Sequence, residues 1–349
     1  MHRNITIEEL LKLANQNKVT MIDVRSPSEF QNATIPGSIN IPFFTDQERA
    51  EVGTLYKQVS PEAAQERGLE IISAKLPAFV QSFKEIEGEK AVFCWRGGMR
   101  SKTTATVLEL MKIHVLRLEE GFRSYRKWVV ERLETIDFTP HAYILDGNTG
   151  IGKTVILREL QKEGFPVIDL EKLANHRGSI FGGIGLEPHN QKVFDSLLVQ
   201  RMDQLKDSSS VLLEGESRRV GKALLPPVIE ALKDKGTHIF INLPIEERIQ
   251  TILDDYQPWE HQQECIEAFQ RIKARIHTPI AEEVEQALQN ENYSLVVRRL
   301  LEYYYDPRYQ HAAEQYPEAQ KITIHVKNIE EAKEKIQQIV SKQRISHSG

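Results

Sequence analysis

The stretch "AYILDGNTGIGKT" (142–154) constrains the fold more than any other part of the chain. An apolar run typical of a strand leads into "GNTGIGKT" (147–154), which fits G-x-x-x-x-G-K-[ST] and precedes a helix-forming stretch. Backbone N–H groups in such a loop wrap a di- or triphosphate, so the spacing predicts a phosphate-binding loop (P-loop) in an α/β domain. The residues predicted to contact phosphate are Gly147, Asn148, Thr149, Gly150, Ile151, Gly152, Lys153 and Thr154.

Two side chains of this loop have a predicted chemical role. Lys153 is expected to reach the terminal phosphates, and the Thr154 hydroxyl could meet Mg²⁺. No Cys/His cluster has zinc spacing, and no resident cofactor is predicted. Mg²⁺ at Thr154 is therefore the one metal that the sequence suggests.

A second candidate site lies in "VFCWRGGMRS" (92–101). Cys94 ends an apolar strand, and a helix begins near Arg100, so the intervening turn presents backbone N–H groups that favour a thiolate. Arg96 and Arg100 add positive charge that can hold an oxyanion. Cys94 is therefore predicted to be a nucleophile, with Arg96 and Arg100 as its catalytic partners. The alternative is a buried structural cysteine at the end of a strand.

Strands and helices alternate along the chain, which predicts two α/β domains with parallel sheets. The first domain covers 1–135 and the second 140–349, with a helical insertion or lid at about 246–315. Strands are predicted in the first domain at 19–24, 89–95 and 114–121, and in the second at 142–146, 165–170, 210–217, 237–244 and 321–326.

Three further segments could contribute to the phosphate site. Glu214 and Glu216 close the strand 210–217, where a Walker B acid lies in P-loop proteins, although acids at strand ends are often only solvated. The glycine-rich "HRGSIFGGIG" (176–185), which contains His176 and Arg177, is interpreted as a loop that approaches a ligand. Just beyond the strand, "ESRRVGK" (216–222) adds cationic side chains that either bind ligand or are surface charge, namely Arg218, Arg219 and Lys222.

The helical insertion ends in a group of aromatic and basic residues. These could stack on nucleic acid, but at helical spacing packing is the favoured interpretation. The residues are Arg298, Arg299, Tyr303, Tyr304, Tyr305, Arg308 and Tyr309.

Charge and composition limit the class of protein. The formal net charge of −5 argues against coating nucleic acid by bulk electrostatics but allows a local basic face. The sequence shows no apolar run of the roughly 18–20 residues that a membrane span needs and no secretory leader, so a cytoplasmic location without membrane contact is expected. Two cysteines exclude a disulfide framework.

The first domain resembles the rhodanese family. "MIDVRSPSEFQNATIPGSINIP" (21–42) is similar to that family's first signature, and "CWRGGMRS" (94–101) to its persulfide loop. The resemblance implies that Cys94 carries sulfur or selenium. The spacing from Cys94 to Arg100 and Ser101 also fits the cysteine-phosphatase loop, although Phe93 stands where those enzymes usually have histidine.

Over its whole length the chain resembles the tRNA 2-selenouridine synthase family, which joins a rhodanese domain to a P-loop domain. The resemblance implies that 2-thiouridine at the tRNA wobble position is geranylated by geranyl diphosphate, and that selenium from selenophosphate then replaces the S-geranyl group. The P-loop would hold geranyl diphosphate, while Cys94 positions or carries selenium. The alternatives are a sulfurtransferase fused to an ATP-dependent small-molecule kinase, a cysteine phosphatase with a nucleotide-binding domain, and a non-catalytic tRNA adaptor.

Overall fold

The computed structural model describes residues 3–309 and 316–346. The chain divides into two compact units, the first formed by residues 1–133 with 195–197 and the second by the rest of the chain from Glu134. Both contain a five-stranded sheet in which every pairing is parallel, as the strand–helix alternation predicts.

The first unit is built around a sheet of strand order β1-β5-β4-β2-β3. Its strands are β1 (Arg3–Ile5), β2 (Val19–Asp23), β3 (Ile39–Asn40), β4 (Glu89–Phe93) and β5 (Leu116–Leu118). The connecting helices are α1 (Ile7–Asn15), α2 (Pro27–Asn32), α3 (Asp46–Gln58), α4 (Pro61–Lys84), α5 (Met99–Leu110) and α6 (Phe122–Thr135).

Capping boxes set the start of several of these helices. Thr6 and Glu9 cap α1 as the sequence predicts, and the pair Ser26 and Glu29 does the same for α2. Most of α2 to α4 lies outside the predicted elements, because its apolar residues do not repeat with a clear helical period.

The second unit has a sheet of strand order β12-β11-β6-β8-β7. Its strands are β6 (His141–Asp146), β7 (Val167–Ile168), β8 (Ser210–Glu214), β11 (Thr237–Asn242) and β12 (Lys321–His325), and a short antiparallel hairpin is formed by β9 (Arg219–Val220) and β10 (Ala223–Leu224). The helices packed with this sheet are α7 (Lys153–Lys162), α8 (Leu170–Ala174), α9 (Gln191–Gln204), α10 (Pro227–Lys235) and α16 (Ile329–Ser346).

The strand predicted over 165–170 is shorter in the structure, because Asp169 starts a helix. Its carboxylate accepts the backbone N–H of Lys172 at 2.7 Å and caps α8. The chain therefore turns away from the sheet directly after Ile168.

The helical insertion lies between β11 and β12. It comprises α11 (Ile245–Tyr256), α12 (Gln262–Gln270), α13 (Thr278–Gln289), α14 (Tyr293–Leu300), a π-helical turn (Leu301–Tyr305) and α15 (Asp306–Tyr309). Residues 310–315 of the predicted insertion, and 347–349 at the end of the chain, lie outside the described residues. The insertion has an apolar core of its own, which includes the buried side chains of Phe269, Ile272 and Val284.

Across the described ranges, we find no helix with the length and apolar character needed to cross a membrane.

Candidate active sites

Cys94 is the first residue after β4 and lies at the N-terminus of α5. Its side chain is only 3% exposed. The Cys94 Sγ atom is 3.2 Å from the Ser101 hydroxyl, which belongs to the first turn of α5, and 4.0 Å from the carbonyl oxygen of Gly98, the residue that caps this helix. Cys94 therefore lies at the positive end of the α5 dipole, where an anionic ligand is favoured.

A second turn holds the Cys94 loop in shape. The backbone N–H of Phe122 donates to the Cys94 carbonyl at 2.8 Å, and the Arg117 guanidinium donates to the Gly97 carbonyl at 2.5 Å. Gly121 has a φ of +62°, and a Cβ atom at this residue would lie 2.1 Å from the Cys94 carbonyl oxygen. The turn after β5 therefore shapes the loop after β4, a long-range contact that the sequence motif does not reveal.

The two predicted arginine partners of Cys94 have different environments. Arg100 is held by Glu29 through two hydrogen bonds of 2.5 and 3.2 Å, and its side chain is 13% exposed. Burial alone raises the pKa of Glu29, but the bond and charge of Arg100 outweigh it and the pKa falls below its usual value. Arg96 is exposed to solvent. An oxyanion can therefore bind Arg96 directly but must compete with Glu29 for Arg100.

The "DVR" triplet at 23–25 contains a buried ion pair beneath this loop. Arg25 donates to the Asp23 carboxylate at 2.6 Å, and both side chains are at most 2% exposed. The Arg25 guanidinium also lies 4.2 Å from the ring centre of Phe122 and 5.8 Å from that of Trp95. The pair thus supports the aromatic residues that flank Cys94 and has a structural role.

The P-loop connects the end of β6 to α7, as predicted. Lys153 is the first residue of α7, and Gly152 caps this helix in the left-handed conformation. Gly150 has a φ of +84°, and a Cβ atom there would lie 2.9 Å from the carbonyl oxygen of Arg248. Only glycine therefore allows the loop to approach the helical insertion this closely.

Arg248 of α11 fixes the P-loop from the insertion side. Its Nε atom donates to the Thr149 carbonyl at 2.9 Å, and its two terminal nitrogens donate to the Asp306 carboxylate at 2.9 and 2.6 Å. The arginine is 4% exposed. Sequence reasoning missed this residue, because no motif marks an arginine in the middle of an amphipathic helix.

A cavity of about 390 Å³ opens in front of the P-loop. Lys153 and Thr154 lie on its wall together with two carboxylates, Glu171 and Glu216. The Lys153 Nζ atom is 3.8 Å from Glu216 Oε1, and the Thr154 hydroxyl donates to Glu171. Burial, reinforced by the negative charge of Glu216, raises the pKa of Glu171 to about 7.

The two predicted Walker B acids are separated in the structure. Glu216 is on the cavity wall beside Lys153, whereas Glu214 at the end of β8 is fully buried and accepts the backbone N–H of Leu170 at 2.8 Å. Burial and the charges of Asp169 and Glu171 raise the pKa of Glu214 well above its usual range. Glu214 is therefore a core residue, and Glu171, which sequence reasoning missed, joins Glu216 at the site.

The glycine-rich loop 176–185 does approach this cavity. Gly178 packs against the carboxylates of Glu216 and Glu171, where a Cβ atom would lie 2.4 and 2.9 Å from their oxygens. Arg177 is on the cavity wall, but its guanidinium pairs with Asp255 at 3.0 Å. The half-buried His176 ring accepts the Gly178 N–H at 3.2 Å, and burial lowers the pKa of His176.

Arg218 is not on the wall of the cavity that holds Lys153, but it lines a neighbouring cavity with Gly147, Asn148 and Glu216. Its side chain is 83% exposed and pairs with Glu230 of α10 at 2.6 Å. Arg219 and Lys222 are also exposed, and neither lines the cavities at the P-loop.

Most of the aromatic and basic residues of the insertion are engaged in packing and ion pairs. Arg298 pairs with Glu246 and Arg299 with Glu283, and Tyr304 is 4% exposed with Arg308 stacked 3.7 Å from its ring centre. Tyr303 is exposed, and the side chain of Tyr309 lies outside the described part.

The donor set near Thr154 fits a magnesium ion only in company with a phosphate ligand. Among the described residues, no three His, Cys, Asp or Glu side chains are grouped so that they could hold a metal by themselves. Mg²⁺ commonly binds one or two carboxylates together with substrate phosphates and water, and the Thr154 and Glu171 oxygens provide such a partial set.

Comparison with known proteins identifies both units. Residues 6–127 match the family model of the rhodanese-like domain, and residues 140–343 match that of the tRNA 2-selenouridine synthase AAA domain. A rhodanese-related protein from Thermoplasma volcanium is 22% identical, with a TM-score of 0.23 over 36% of this chain and 93% of that one.

Two curated relatives extend the match over most of the chain. The tRNA 2-selenouridine synthase of Bdellovibrio bacteriovorus is 34% identical over 73% of this chain and 68% of its own length. The enzyme of the same name from Nitrosomonas eutropha is 30% identical over 88% of this chain and 91% of its own length. The resemblance predicted from the motifs is confirmed, and the chain belongs to the tRNA 2-selenouridine synthase family.

Proposed function

We propose that this protein converts 2-thiouridine at the wobble position of tRNA into 2-selenouridine in two steps, through an S-geranyl intermediate. Geranyl diphosphate is the donor of the first step and selenophosphate the donor of the second. The observation that carries the proposal is the presence of two anion-binding turns, each at the carboxyl end of a parallel strand, one with a cysteine and the other with a P-loop lysine.

In the first step, the sulfur of 2-thiouridine attacks C1 of the geranyl group. The new S–C bond forms as the C–O bond to diphosphate breaks, and diphosphate leaves with the negative charge that develops on it. Lys153 and the P-loop amides stabilise that charge. Thr154 and Glu171 would hold a Mg²⁺ ion, which would supply further positive charge to the leaving group. ATP hydrolysis has no part in this step.

In the second step, selenium replaces the alkylated sulfur at C2. Sulfur in a C=S group is a poor leaving group, whereas the S-geranyl group departs as a neutral thiol once it takes up a proton. The selenium of selenophosphate attacks C2 and forms the new C2–Se bond as the C2–S bond breaks. Water then cleaves the Se–P bond, and the phosphorus of the donor leaves as inorganic phosphate. Cys94 positions this selenium at the N-terminus of α5, and the exposed Arg96 binds the phosphate of the donor.

The test uses purified protein and tRNA that carries 2-thiouridine, with geranyl diphosphate added first and selenophosphate second, both without ATP. Mass spectrometry of the digested nucleosides should show the geranylated product and then the selenium-containing one. The same tRNA without the 2-thio group serves as the control and should remain unmodified. Conversion that requires ATP would overturn the assignment of the P-loop to a prenyl diphosphate and return the loop to nucleotide chemistry. No conversion with or without ATP would favour a sulfurtransferase fused to a kinase.

A further inference from the structure

A second, narrower cavity enters the helical insertion directly beside the P-loop cavity. Its volume is about 60 Å³, and its exposed surface is almost entirely apolar. The two cavities share a neck formed by Thr149, Ser179, Ile252, Tyr256 and Tyr305. A ligand bound by the P-loop would enter the insertion by passing between these residues.

The far end of this cavity is part of the insertion's own core. It is lined by the buried side chains of Cys265, Leu288, Tyr293, Val296 and Leu300. Burial raises the pKa of the Cys265 thiol to about 11, so this side chain is uncharged at neutral pH. Within the neck, the Tyr256 hydroxyl lies 3.0 Å from the Ser179 hydroxyl. No charged group is among the lining residues, and the Tyr293 hydroxyl is a buried polar atom of the lining that has no hydrogen-bond partner among the described residues. The mainly apolar lining therefore favours an apolar ligand.

We infer that this cavity, called here the tail cavity, binds the isoprenoid tail of the prenyl diphosphate whose phosphates lie in the P-loop. The inference rests on the proposed function and names the residues that bind the other half of its first substrate. The two adjoining cavities change from polar at Lys153 and the P-loop amides to apolar at Val296 and Leu288, with the neck between them. A prenyl diphosphate changes in the same order, from its phosphates to its hydrocarbon tail.

The volume of the tail cavity determines how much of the prenyl tail it can hold. A group the size of a water molecule or a methylene needs roughly 10–15 Å³ of cavity volume. The tail cavity, with about 60 Å³, therefore holds about four to six such groups. That corresponds to one isoprene unit. In a geranyl chain the distal isoprene unit then occupies the tail cavity, and the proximal unit lies in the neck between Ile252 and Tyr256.

The experiment changes the volume of the tail cavity in both directions at one residue. Val296→Phe fills the far end and Val296→Ala enlarges it, while Leu224→Phe adds the same ring at an exposed position of the same unit as the control. Each protein is assayed for transfer from geranyl diphosphate and from the shorter dimethylallyl diphosphate to tRNA that carries 2-thiouridine. For Val296→Phe we expect the ratio of the rate with geranyl diphosphate to the rate with dimethylallyl diphosphate to fall roughly 10- to 100-fold. The reason is that the filled cavity no longer has room for the second isoprene unit.

A binding measurement on the unaltered protein guards against misfolding of the variants. Calorimetry with geranyl diphosphate should give a more negative heat-capacity change than calorimetry with inorganic pyrophosphate, because only the former buries hydrocarbon. Val296→Phe should reduce this difference.

The outcomes separate the inference from the proposed function. An unaltered protein that neither geranylates tRNA nor binds geranyl diphosphate would overturn both. A protein that geranylates, but whose chain-length preference is the same in Val296→Phe and Leu224→Phe, would overturn only the tail cavity. Equal heat-capacity changes for the two ligands would do the same.

Discussion

Replacing Arg248 by methionine should loosen the P-loop without touching any phosphate-binding side chain. The arginine is buried, donates to the Thr149 carbonyl and binds the Asp306 carboxylate through two nitrogens. Methionine keeps much of the side-chain volume but supplies no donor. The Thr149 carbonyl and the Asp306 carboxylate then lose their partner, and the insertion no longer fixes the loop.

The expected cost follows from the burial of the three groups. Removing one member of a buried ion pair costs about 3–5 kcal/mol, because the other charge is left without a partner. Asp306 is 23% exposed, so water recovers part of that cost, and we take about 2–3 kcal/mol for the loss in free energy of unfolding. Displacement of the loop should also weaken pyrophosphate binding roughly tenfold, which corresponds to about 1.4 kcal/mol.

Two measurements on a pair of variants test this reasoning. Urea unfolding gives the free energy of unfolding, and titration calorimetry gives the Kd for pyrophosphate. Asp306→Asn is the matched control, since it removes the ion pair but leaves the Arg248 bond to Thr149 in place. Arg248→Met should lose both stability and affinity, and Asp306→Asn mainly stability. Equal pyrophosphate affinity in Arg248→Met and the unaltered protein would refute the view that Arg248 positions the loop.

Three further predictions concern the two sites. Cys94→Ser should still geranylate tRNA but form no 2-selenouridine, whereas Lys153→Ala should lose geranylation, and nucleoside mass spectrometry measures both products. Loss of both activities in Cys94→Ser would contradict the assignment of geranylation to the P-loop and of selenation to Cys94. Glu171 has its pKa raised to about 7, so the folded protein binds its proton more tightly than the unfolded chain does, and stability is lost as pH rises from about 4.5 to 7. Glu171→Gln should accordingly be more stable than the unaltered protein by about 2–3 kcal/mol at pH 8 and nearly equal to it at pH 4.5. This size follows from about 1.36 kcal/mol per pKa unit, reduced because Glu171 also interacts with Glu216 and Lys153. Denaturation curves in which the stability difference between the two proteins does not vary with pH would contradict this. Gly121→Ala should destabilise the first unit by about 1 kcal/mol because of the positive φ, and by a further amount because the new Cβ atom clashes with the Cys94 carbonyl. Gly88→Ala is the control, since Gly88 has a φ of +74° but open space around a Cβ atom, and in thermal unfolding it should lose only the stability that the positive φ costs.

The sequence predicts those features that depend on neighbouring residues. The P-loop and the Cys94 turn are both a strand, a glycine-containing turn and a helix in succession, so their local pattern is enough to locate them. The parallel sheets and the helical insertion follow from the same alternation.

The remaining features depend on residues far apart in the chain. Glu29 binds Arg100 across 71 positions, and Arg248 reaches Thr149 across 99. Glu171 joins the phosphate site because β7 ends two residues earlier than the pattern suggests and α8 carries this carboxylate to Thr154. The tail cavity is formed by apolar side chains that look like any other core residues in the sequence.

The position of β12 has a consequence for how the chain is made. β12 is the edge strand that covers β11, yet the whole helical insertion is synthesised between the two. While the insertion leaves the ribosome, the nascent sheet has an open edge at β11, of the kind that recruits strands from other chains. Because the insertion buries an apolar core of its own, it can fold during this interval. A nascent chain that stalls before Lys321 should therefore keep a folded insertion but remain prone to aggregation through β11.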